Sequence, residues 1–265
     1  MHQGAWLLWA LSGGLVAIST TNPFYLLPLL GVAWVVHAAR GRPGPQARSF
    51  RIFLAFGALT ICTRTALVLF LPDIQLGNIV EAAAEGLRLA VLLVVFGAFN
   101  TVSDPFGVLR LSPRRWHEPA LAASLALSIA PRTIAAVSTV REAQRLRGID
   151  VRRWRGLVAL AIPVLETGME EAVVLAESMD ARGHGRGRRT RYRPERWGIE
   201  ATLVSLACVF AVLVAGVALF GDDPSLALSA WPIAWPEVSP IMLVAIVGLS
   251  VPAWLPAVAP VRESR

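Results

Sequence analysis

Two arginines of this chain each stand directly before a glycine, where a stripe of apolar residues ends. They are Arg147, before Gly148, and Arg182, which follows Ala181 and precedes Gly183. A guanidinium group stays charged, and its planar fork bonds two carboxylate or carbonyl oxygens at once, so these residues suit recognition of a partner. A simpler interpretation is helix capping, with arginine at the negative end of the helix dipole and glycine in the left-handed cap. Two copies about 35 residues apart favour recognition.

The sequence offers no set of residues for catalysis or metal binding. It contains no GxxxxGK[ST] phosphate loop, no GxSxG elbow and no HExxH helix. Cys62 and Cys208 lie in apolar runs without a CxxC pattern, and the four histidines have no carboxylate or cysteine at ligand spacing. We therefore expect a non-enzymatic protein with no cofactor and no metal site.

The composition predicts a membrane protein. Hydrophobic residues make up 55% of the 265 residues and charged residues only 16%, whereas soluble domains carry about 25% charged residues. A helix that crosses the bilayer needs about 20 apolar residues. The candidate spans are residues 5–20, 23–39, 52–71, 82–100, 198–220 and 239–258. The first lacks a preceding basic segment and a cleavage site, so we expect a retained helix and not a signal peptide.

The distribution of arginine predicts the orientation of these spans. All the basic residues are arginine, and they concentrate after the second span, after the fourth span and in residues 141–197. The loops on the other side, residues 72–81 and 221–238, contain acidic residues and no arginine. The positive-inside rule then places both termini in the cytosol of a multi-pass protein of the cell membrane.

These predictions divide the chain into three sections of an all-α polytopic membrane protein. Residues 1–103 hold four transmembrane helices, residues 104–197 form a cytosolic or interfacial region with long helices, and residues 198–265 form a transmembrane hairpin. Residues 119–140 are apolar enough to cross, but arginine flanks both sides and Arg132 lies inside. We expect this helix to lie against the bundle, partly in the interface.

Three ionisable residues fall within the predicted spans: Arg64, Glu85 and Arg88. Charges at this depth are costly, so they usually face the bundle interior and pair. One interpretation makes them part of a substrate or ion path. The other, which the sequence favours, pairs Glu85 with Arg88 one turn away and lets Arg64 extend outward to the interface.

Two segments of the middle section show apolar or small residues at helical spacing. Residues 156–182 predict a long amphipathic helix. Its stripe alternates steps of four and three and consists of Val158, Ile162, Leu165, Met169, Ala172, Ala176 and Met179. A smaller stripe precedes it, formed by Ala136, Val140 and Ala143. Small residues allow another helix to approach closely, so both stripes are candidate packing surfaces.

These features resemble the T component of energy-coupling factor transporters, the membrane scaffold of a class of ATP-driven importers for vitamins and transition-metal ions. The hallmark of that family is a pair of Ala-Arg-Gly or Ala-Arg-Ser motifs, each at the end of a cytosolic coupling helix. Residues 181–183 match the second motif, and the flanking residues 177–183 and 188–192 are close to the sequence that is usual in the family. Residues 141–148 match the first motif, with Leu146 in place of the alanine.

The Asn22-Pro23 break and the Asp104-Pro105 start of the middle section also fit this family. The resemblance implies that two ABC-type ATPase subunits bind the chain, one through Arg147 and the other through Arg182. It further implies that a separate small membrane protein, the S component, captures the substrate and packs against the two stripes. The chain itself would hydrolyse nothing.

Two rival hypotheses remain. A secondary transporter or channel would use the intramembrane charges as its path, although no internal repeat supports it. A lipid-modifying enzyme would use residues 182–193 as a phosphate-binding cluster, but no nucleophile or acid pair accompanies them. We interpret the arginines of residues 186–196 as a flank that anchors the next span to anionic lipid. Nucleic-acid binding is not expected, because few aromatic residues interleave with the arginines.

Overall fold

The fold is described from a computed structural model of the chain. The structure describes residues 2–42, 45–68, 70, 76–148, 154–184, 197–221, 223–228 and 237–255, without the side chains of 45, 46, 114 and 154–159. The basic run 186–196 therefore lies outside the described residues, as do parts of the predicted loops 72–81 and 221–238.

The described residues form α-helices and short 3-10 turns in two compact units. The first unit comprises Met1–Leu111 with Glu195–Arg265, and the second comprises Ser112–Pro194. The helices of the first unit are α1 (Gln3–Ser19), α2 (Pro23–Arg40), α3 (Pro45–Val68), α4 (Leu76–Val102), α5 (Pro105–Arg110), α8 (Ile199–Phe220), α9 (Pro240–Gly248) and α10 (Val251–Trp254). The second unit contains α6 (His117–Leu146) and α7 (Trp154–Ala181). The chain is an all-α polytopic membrane protein, as predicted.

Among the described residues, four helices are long and apolar enough to cross a bilayer, judged by length and composition. They are Pro23–Arg40, Ala47–Val68, His117–Leu146 and Ile199–Phe220, and the shorter apolar helix Gln3–Ser19 accompanies them. The predicted fourth span, residues 82–100, lies within the longer helix α4. The interfacial placement of residues 119–140 stays a prediction; they form the middle of the continuous 30-residue helix α6, which runs through Pro131.

The turn between α1 and α2 contains a buried asparagine, Asn22, that makes several hydrogen bonds. Asn22 caps α2, because its side-chain oxygen accepts a hydrogen bond from the Phe24 N–H at 2.9 Å and Pro23 stands at the first helical position. The fully buried Asn22 amide donates to the carbonyls of Ser225 at 2.8 Å and Glu237 at 3.1 Å. One side chain thus starts α2 and fastens this turn to the segments before α9.

Helices α1, α2, α4 and α8 surround the main core of the first unit. Helix α3 packs mainly along α4. This packing is close because glycines replace side chains at the contact. A Cβ placed on Gly86 would lie 2.8 Å from the Ile61 Cα, and one on Gly97 would lie 2.8 Å from the Phe53 Cβ. Small residues at helix contacts are typical of helix packing in membranes.

The last predicted span, residues 239–258, is not one continuous helix. It breaks after Gly248 into α9 and the four-residue α10, because Pro252 lacks an N–H and disfavours helical backbone before it. The Trp9 indole N–H donates to the Leu249 carbonyl at 2.8 Å. Arg40 donates from Nε to the Pro252 carbonyl at 3.0 Å and from Nη2 to the Leu255 carbonyl. Side chains of α1 and α2 thus take the place of missing helical hydrogen bonds.

In the second unit, α6 and α7 contact each other. Helix α7 matches the predicted amphipathic helix of residues 156–182 to within two residues. Among the residues whose side chains are described, α6 buries none and α7 buries Leu160. The pair therefore has a thin core and a large exposed surface.

Candidate docking site at two helix ends

The ends of α6 and α7 position the two arginines in the same way. Arg147 is the residue that caps α6, and its N–H donates to the carbonyls of Ala143 at 3.2 Å and Gln144 at 3.1 Å. Arg182 follows the last helical residue of α7, and its N–H donates to the Ser178 carbonyl at 3.2 Å. Both arginines are exposed. Each guanidinium is thus carried on a helix end and is accessible to a partner.

The glycine after each arginine adopts the left-handed conformation that ends a helix. Gly148 has φ 75° and Gly183 has φ 76°. At both positions an added Cβ would meet no described atom within 4 Å, so backbone conformation and not space requires glycine. At the end of α7, Gly183 N–H donates to Asp180 at 2.8 Å and His184 N–H donates to Met179 at 3.0 Å, which is a Schellman motif. The predicted glycine caps are therefore confirmed.

Capping and recognition do not exclude each other here. The backbone of each end satisfies its own carbonyls through the glycine turn, so the hydrogen bonds of the cap come from main-chain N–H groups. The guanidinium groups of Arg147 and Arg182 are left at the surface. Such a group can bind a carboxylate or a row of carbonyls on another protein.

The apolar stripe of α7 is exposed along most of its length. Ile162, Leu165 and Met169 are 63%, 64% and 70% exposed. Ala172 and Ala176 are exposed as well, whereas Met179 is half-buried. The side chain of Val158 lies outside the described residues. The stripe predicted from the sequence is therefore a surface of this chain from Ile162 to Ala176.

A position across the bilayer does not explain this apolar surface. Helix α7 carries four glutamates beside the stripe, namely Glu166, Glu170, Glu171 and Glu177, and it is not among the helices apolar enough to span. A large exposed apolar face with a charged opposite side marks an interaction surface or a helix in a membrane interface.

The smaller stripe of α6 divides between two environments. Ala136 and Val140 are half-buried, whereas Ala143 is exposed close to Arg147. Helix α7 contacts α6, as expected for two helices with a face of small residues. Only Ala143 of this stripe is thus available at the helix end.

The intramembrane charges pair differently from the expected arrangement. Arg64 Nη2 of α3 lies 2.9 Å from Glu85 Oε2 of α4. The prediction that Arg64 extends outward and that Glu85 pairs with Arg88 is therefore wrong. An isolated helix favours a partner one turn away, but the close α3–α4 packing at Gly86 brings Arg64 nearer to Glu85. The interhelical pair neutralises both charges.

Comparison with known proteins gives a consistent result, although no family model matches the chain. The energy-coupling factor transporter transmembrane protein EcfT of Bacillus selenitireducens is 29% identical over 158 residues, which cover 53% of this chain and 58% of that protein. The protein of the same name from Exiguobacterium sibiricum is 28% identical over 200 residues, covering 63% of this chain and 73% of that protein. That of Streptococcus thermophilus is 32% identical over 111 residues, covering 39% and 40%.

This chain is similar in sequence to several EcfT proteins. The resemblance to the T component of energy-coupling factor transporters is thereby confirmed. The chain spans about three fifths of the first of these relatives, 58% of its length. The full name of EcfT describes a transporter transmembrane protein, which agrees with the predicted membrane protein and with the apolar helices observed here.

Two features of the candidate site were not recognised from the sequence. Leu146, interpreted only as a departure from the family motif, is 91% exposed directly beside Arg147. Arg145 and Asp180 occupy the same position in the two caps, since each offers its carbonyl to the glycine. Aligning the two motifs on their glycines would have revealed this second feature.

Proposed function

We propose that this chain is the transmembrane scaffold of an energy-coupling factor transporter, in the cell membrane with both termini in the cytosol. It joins a pair of ABC-type ATPase subunits to a separate S component that binds a vitamin or a transition-metal ion. The chain hydrolyses nothing itself. The observation that carries the proposal is the pair of helix ends with the same cap and an exposed arginine, Arg147 in one and Arg182 in the other.

The physical chemistry of arginine suits this role. An exposed salt bridge contributes about 0–1 kcal/mol, too little to transmit motion between proteins. Once a partner groove removes water from the guanidinium, truncating such an anchor costs about 2–5 kcal/mol. The cap holds each arginine at the end of a long helix, α6 with 30 residues and α7 with 28, so a displacement of either end moves the whole helix.

The proposed mechanism follows from this arrangement. ATP binding closes the two ATPase subunits and moves the helix ends that they hold. The exposed stripe from Ile162 to Ala176 then moves against the S component, which tilts and releases its cargo inward. The stripe supports this step, because the chain by itself leaves it uncovered on a helix unsuited to crossing the membrane.

The first experiment tests the arginines. The chain is co-expressed with a pair of ABC-type ATPase subunits, and co-purification in mild detergent is compared for wild type, Arg147→Glu, Arg182→Glu and the double variant. Each single variant is expected to weaken the complex, and the double variant to abolish it. Arg110→Glu is the matched control, since Arg110 is an exposed arginine in the last turn of α5 without a following glycine.

If no ATPase associates, or if both charge reversals leave the complex unchanged, the two ends are only helix caps. A second experiment tests the stripe with Leu165→Glu and Met169→Glu, which are expected to prevent co-purification of the S component. Thr167→Glu places the same charge on another side of α7 and should leave assembly intact. Assembly of either stripe variant at the wild-type level would contradict the mechanism.

The alternative of a secondary transporter or channel finds less support. It requires charges available along a path, whereas Arg64 and Glu85 bind each other at 2.9 Å. A functional test is uptake without any ATPase. Uptake that persists when the ATPase subunits are deleted would favour the alternative.

A further inference from the structure

The ion pair between Arg64 and Glu85 leaves Arg88 of α4 without an acidic partner. In the described part of the chain, the half-buried Arg88 makes no hydrogen bond and no ion pair. Glu81, the next carboxylate along α4, is exposed and stands seven residues, or about 10 Å, further toward the start of the helix. An intramembrane charge without a partner is costly, so we expect a ligand from outside the chain to bind it.

The contacts between α1 and α4 show how the two helices are aligned. Near one end, the side chain of Gln3 accepts a hydrogen bond from the Asp104 N–H at 3.3 Å. Further along, a Cβ placed on Gly13 would lie 3.1 Å from a methyl group of Val95. Residue numbers rise along α1 while they fall along α4, so the two helices are antiparallel.

This alignment gives the depth of Arg88. Arg88 precedes Val95 by seven residues, or about 10 Å along α4, and the same rise along α1 leads from Gly13 to Thr20. Helix α1 has 17 residues and is about 25 Å long, close to the thickness of the hydrocarbon core, which is about 30 Å. In the proposed orientation α1 begins at the cytosolic side, so Arg88 lies near the level of the outer headgroups.

The surface next to Arg88 is an apolar groove between α1 and α4. The helices approach closely at its floor, where a Cβ on Gly14 would lie 3.7 Å from the Phe96 ring. Leu11 and Ile18 lie one turn before and one turn after Gly14 on the same face of α1. Both are exposed, at 49% and 57%, and Phe96 is 44% exposed. The α1–α4 groove, formed by these four residues, therefore ends near an unpaired cation.

We propose that Arg88 binds the phosphate of an anionic phospholipid of the outer leaflet, and that an acyl chain of this lipid lies in the α1–α4 groove. This inference rests on the membrane orientation given in the proposed function. A guanidinium group donates two parallel hydrogen bonds to phosphate oxygens. The acyl chain covers the exposed apolar residues of the groove, and the charge of the headgroup complements the arginine.

The test measures lipid binding by the full chain without ATPase subunits. The chain in mild detergent is titrated with phosphatidylglycerol and with phosphatidylcholine, and the bound lipid is counted by native mass spectrometry. Arg88→Met is expected to lower the preference for phosphatidylglycerol about fivefold, which is the contribution of one arginine near an anionic surface. Arg88→Lys keeps the charge and should restore most of this preference. Arg51→Met is the control, because Arg51 is an exposed arginine near the cytosolic end of α3.

Thermal unfolding of the same samples gives a second readout. Phosphatidylglycerol should raise the unfolding midpoint of the wild type more than that of Arg88→Met, because a ligand stabilises the state that binds it. In lipid-free detergent the two proteins should unfold at the same midpoint. Glycerol 3-phosphate, which has a phosphate and no acyl chain, should not displace the bound lipid. Displacement by this compound would indicate a site for free phosphate and would overturn the inference.

Three further outcomes would also contradict the lipid site. Equal losses in Arg88→Met and Arg51→Met would assign the effect to overall charge. An unchanged lipid preference in Arg88→Met would remove the site. If that variant instead lost co-purification of the S component, the occupant of the groove would be a protein. Because no ATPase takes part in the lipid measurement, each of these results leaves the proposed docking at Arg147 and Arg182 unaffected.

Discussion

The two units of this chain differ in how much apolar core they enclose. In the first unit, large side chains from distant parts of the sequence are fully enclosed; Trp9 is 1% exposed and Tyr25 is 0% exposed. In the second unit, Ile162, Leu165 and Met169 on α7 are each more than 60% exposed. The first unit thus completes a core of its own, whereas the described side chains of α6 and α7 enclose almost none.

The side-chain hydrogen bonds of the two units also differ, since those of the first unit include long-range ones. The first unit joins segments more than 200 residues apart through Asn22 and Trp9. In the described part of the second unit, the side-chain hydrogen bonds of Ser124, Ser138 and Thr167 return to carbonyls three or four residues earlier. The first unit is therefore fastened by long-range bonds, and the second is a pair of locally stabilised helices.

The largest expected effect is the loss of the Asn22 contacts. Asn22→Ala removes the cap of α2 and leaves the carbonyls of the buried Ser225 and of Glu237 without this donor, at a cost of about 3 kcal/mol. The midpoint of thermal unfolding in mild detergent should fall by about 8 °C. Thr63→Ala, which removes only local helix hydrogen bonds at an exposed position, is the control. Equal effects of the two changes would show that the contact does not fasten the unit.

The next largest effect is expected on stability, when a buried apolar side chain of the first unit is shortened. Val94→Ala opens space at a position that is 1% exposed, with an expected loss of about 2 kcal/mol in the free energy of unfolding. Met169→Ala, at a position 70% exposed, should change it by less than about 0.5 kcal/mol. Denaturant titration in detergent measures both. A large loss for Met169→Ala in the isolated chain would mean that the stripe stabilises this protein itself.

A smaller effect is expected at the ion pair between α3 and α4. Arg64 is 44% exposed and Glu85 is 34% exposed, and we expect a coupling of about 1 kcal/mol, which is typical of polar contacts between membrane helices. A double-mutant cycle with Arg64→Met and Glu85→Gln measures it. Arg88→Met in place of Arg64→Met is the matched comparison, and a larger coupling for Arg88 would contradict the observed pairing.

An effect of similar size, but confined to one helix end, is expected at the helix caps. Gly148→Ala and Gly183→Ala each place a Cβ on left-handed backbone, which costs about 1 kcal/mol and frays only the last turn. Amide hydrogen exchange should speed up at the end of the altered helix and stay unchanged in α1 and α2. Gly168→Ala is the control, because Gly168 is a glycine inside α7, where alanine is favoured. Protection that stays at the wild-type level in Gly183→Ala would contradict the role of that cap.

Much of the helical architecture follows from local sequence. The Asn-Pro pair predicts the start of α2, and the two Arg-Gly pairs predict the ends of α6 and α7, because caps and turns depend on residues adjacent in the chain. Apolar length predicts α8 to within one residue, whereas α3 and α4 begin seven and six residues before the predicted spans. The break after Gly248 was missed, although Pro252 is a local signal for it.

The candidate site, too, can be predicted from the sequence only in part. Its arginines, its glycines and its apolar stripe can be recognised from residue type and spacing alone. Residue spacing does not distinguish the side of α7 that contacts another helix from the side that stays exposed, since both carry apolar residues. The half-buried Met179 and the exposed Met169 belong to one predicted stripe and differ in environment.

The sequence by itself determined a helical membrane protein, the order of its helices and the two capped arginine ends, because hydropathy, periodicity and capping act over a few neighbouring residues. Only the tertiary structure decided that Glu85 pairs with Arg64, that Asn22 holds carbonyls more than 200 residues away, and that Arg145 and Leu146 face outward at one end. Such pairings depend on which helices lie side by side. That choice follows from the packing of whole helix faces, and no short stretch of sequence contains it.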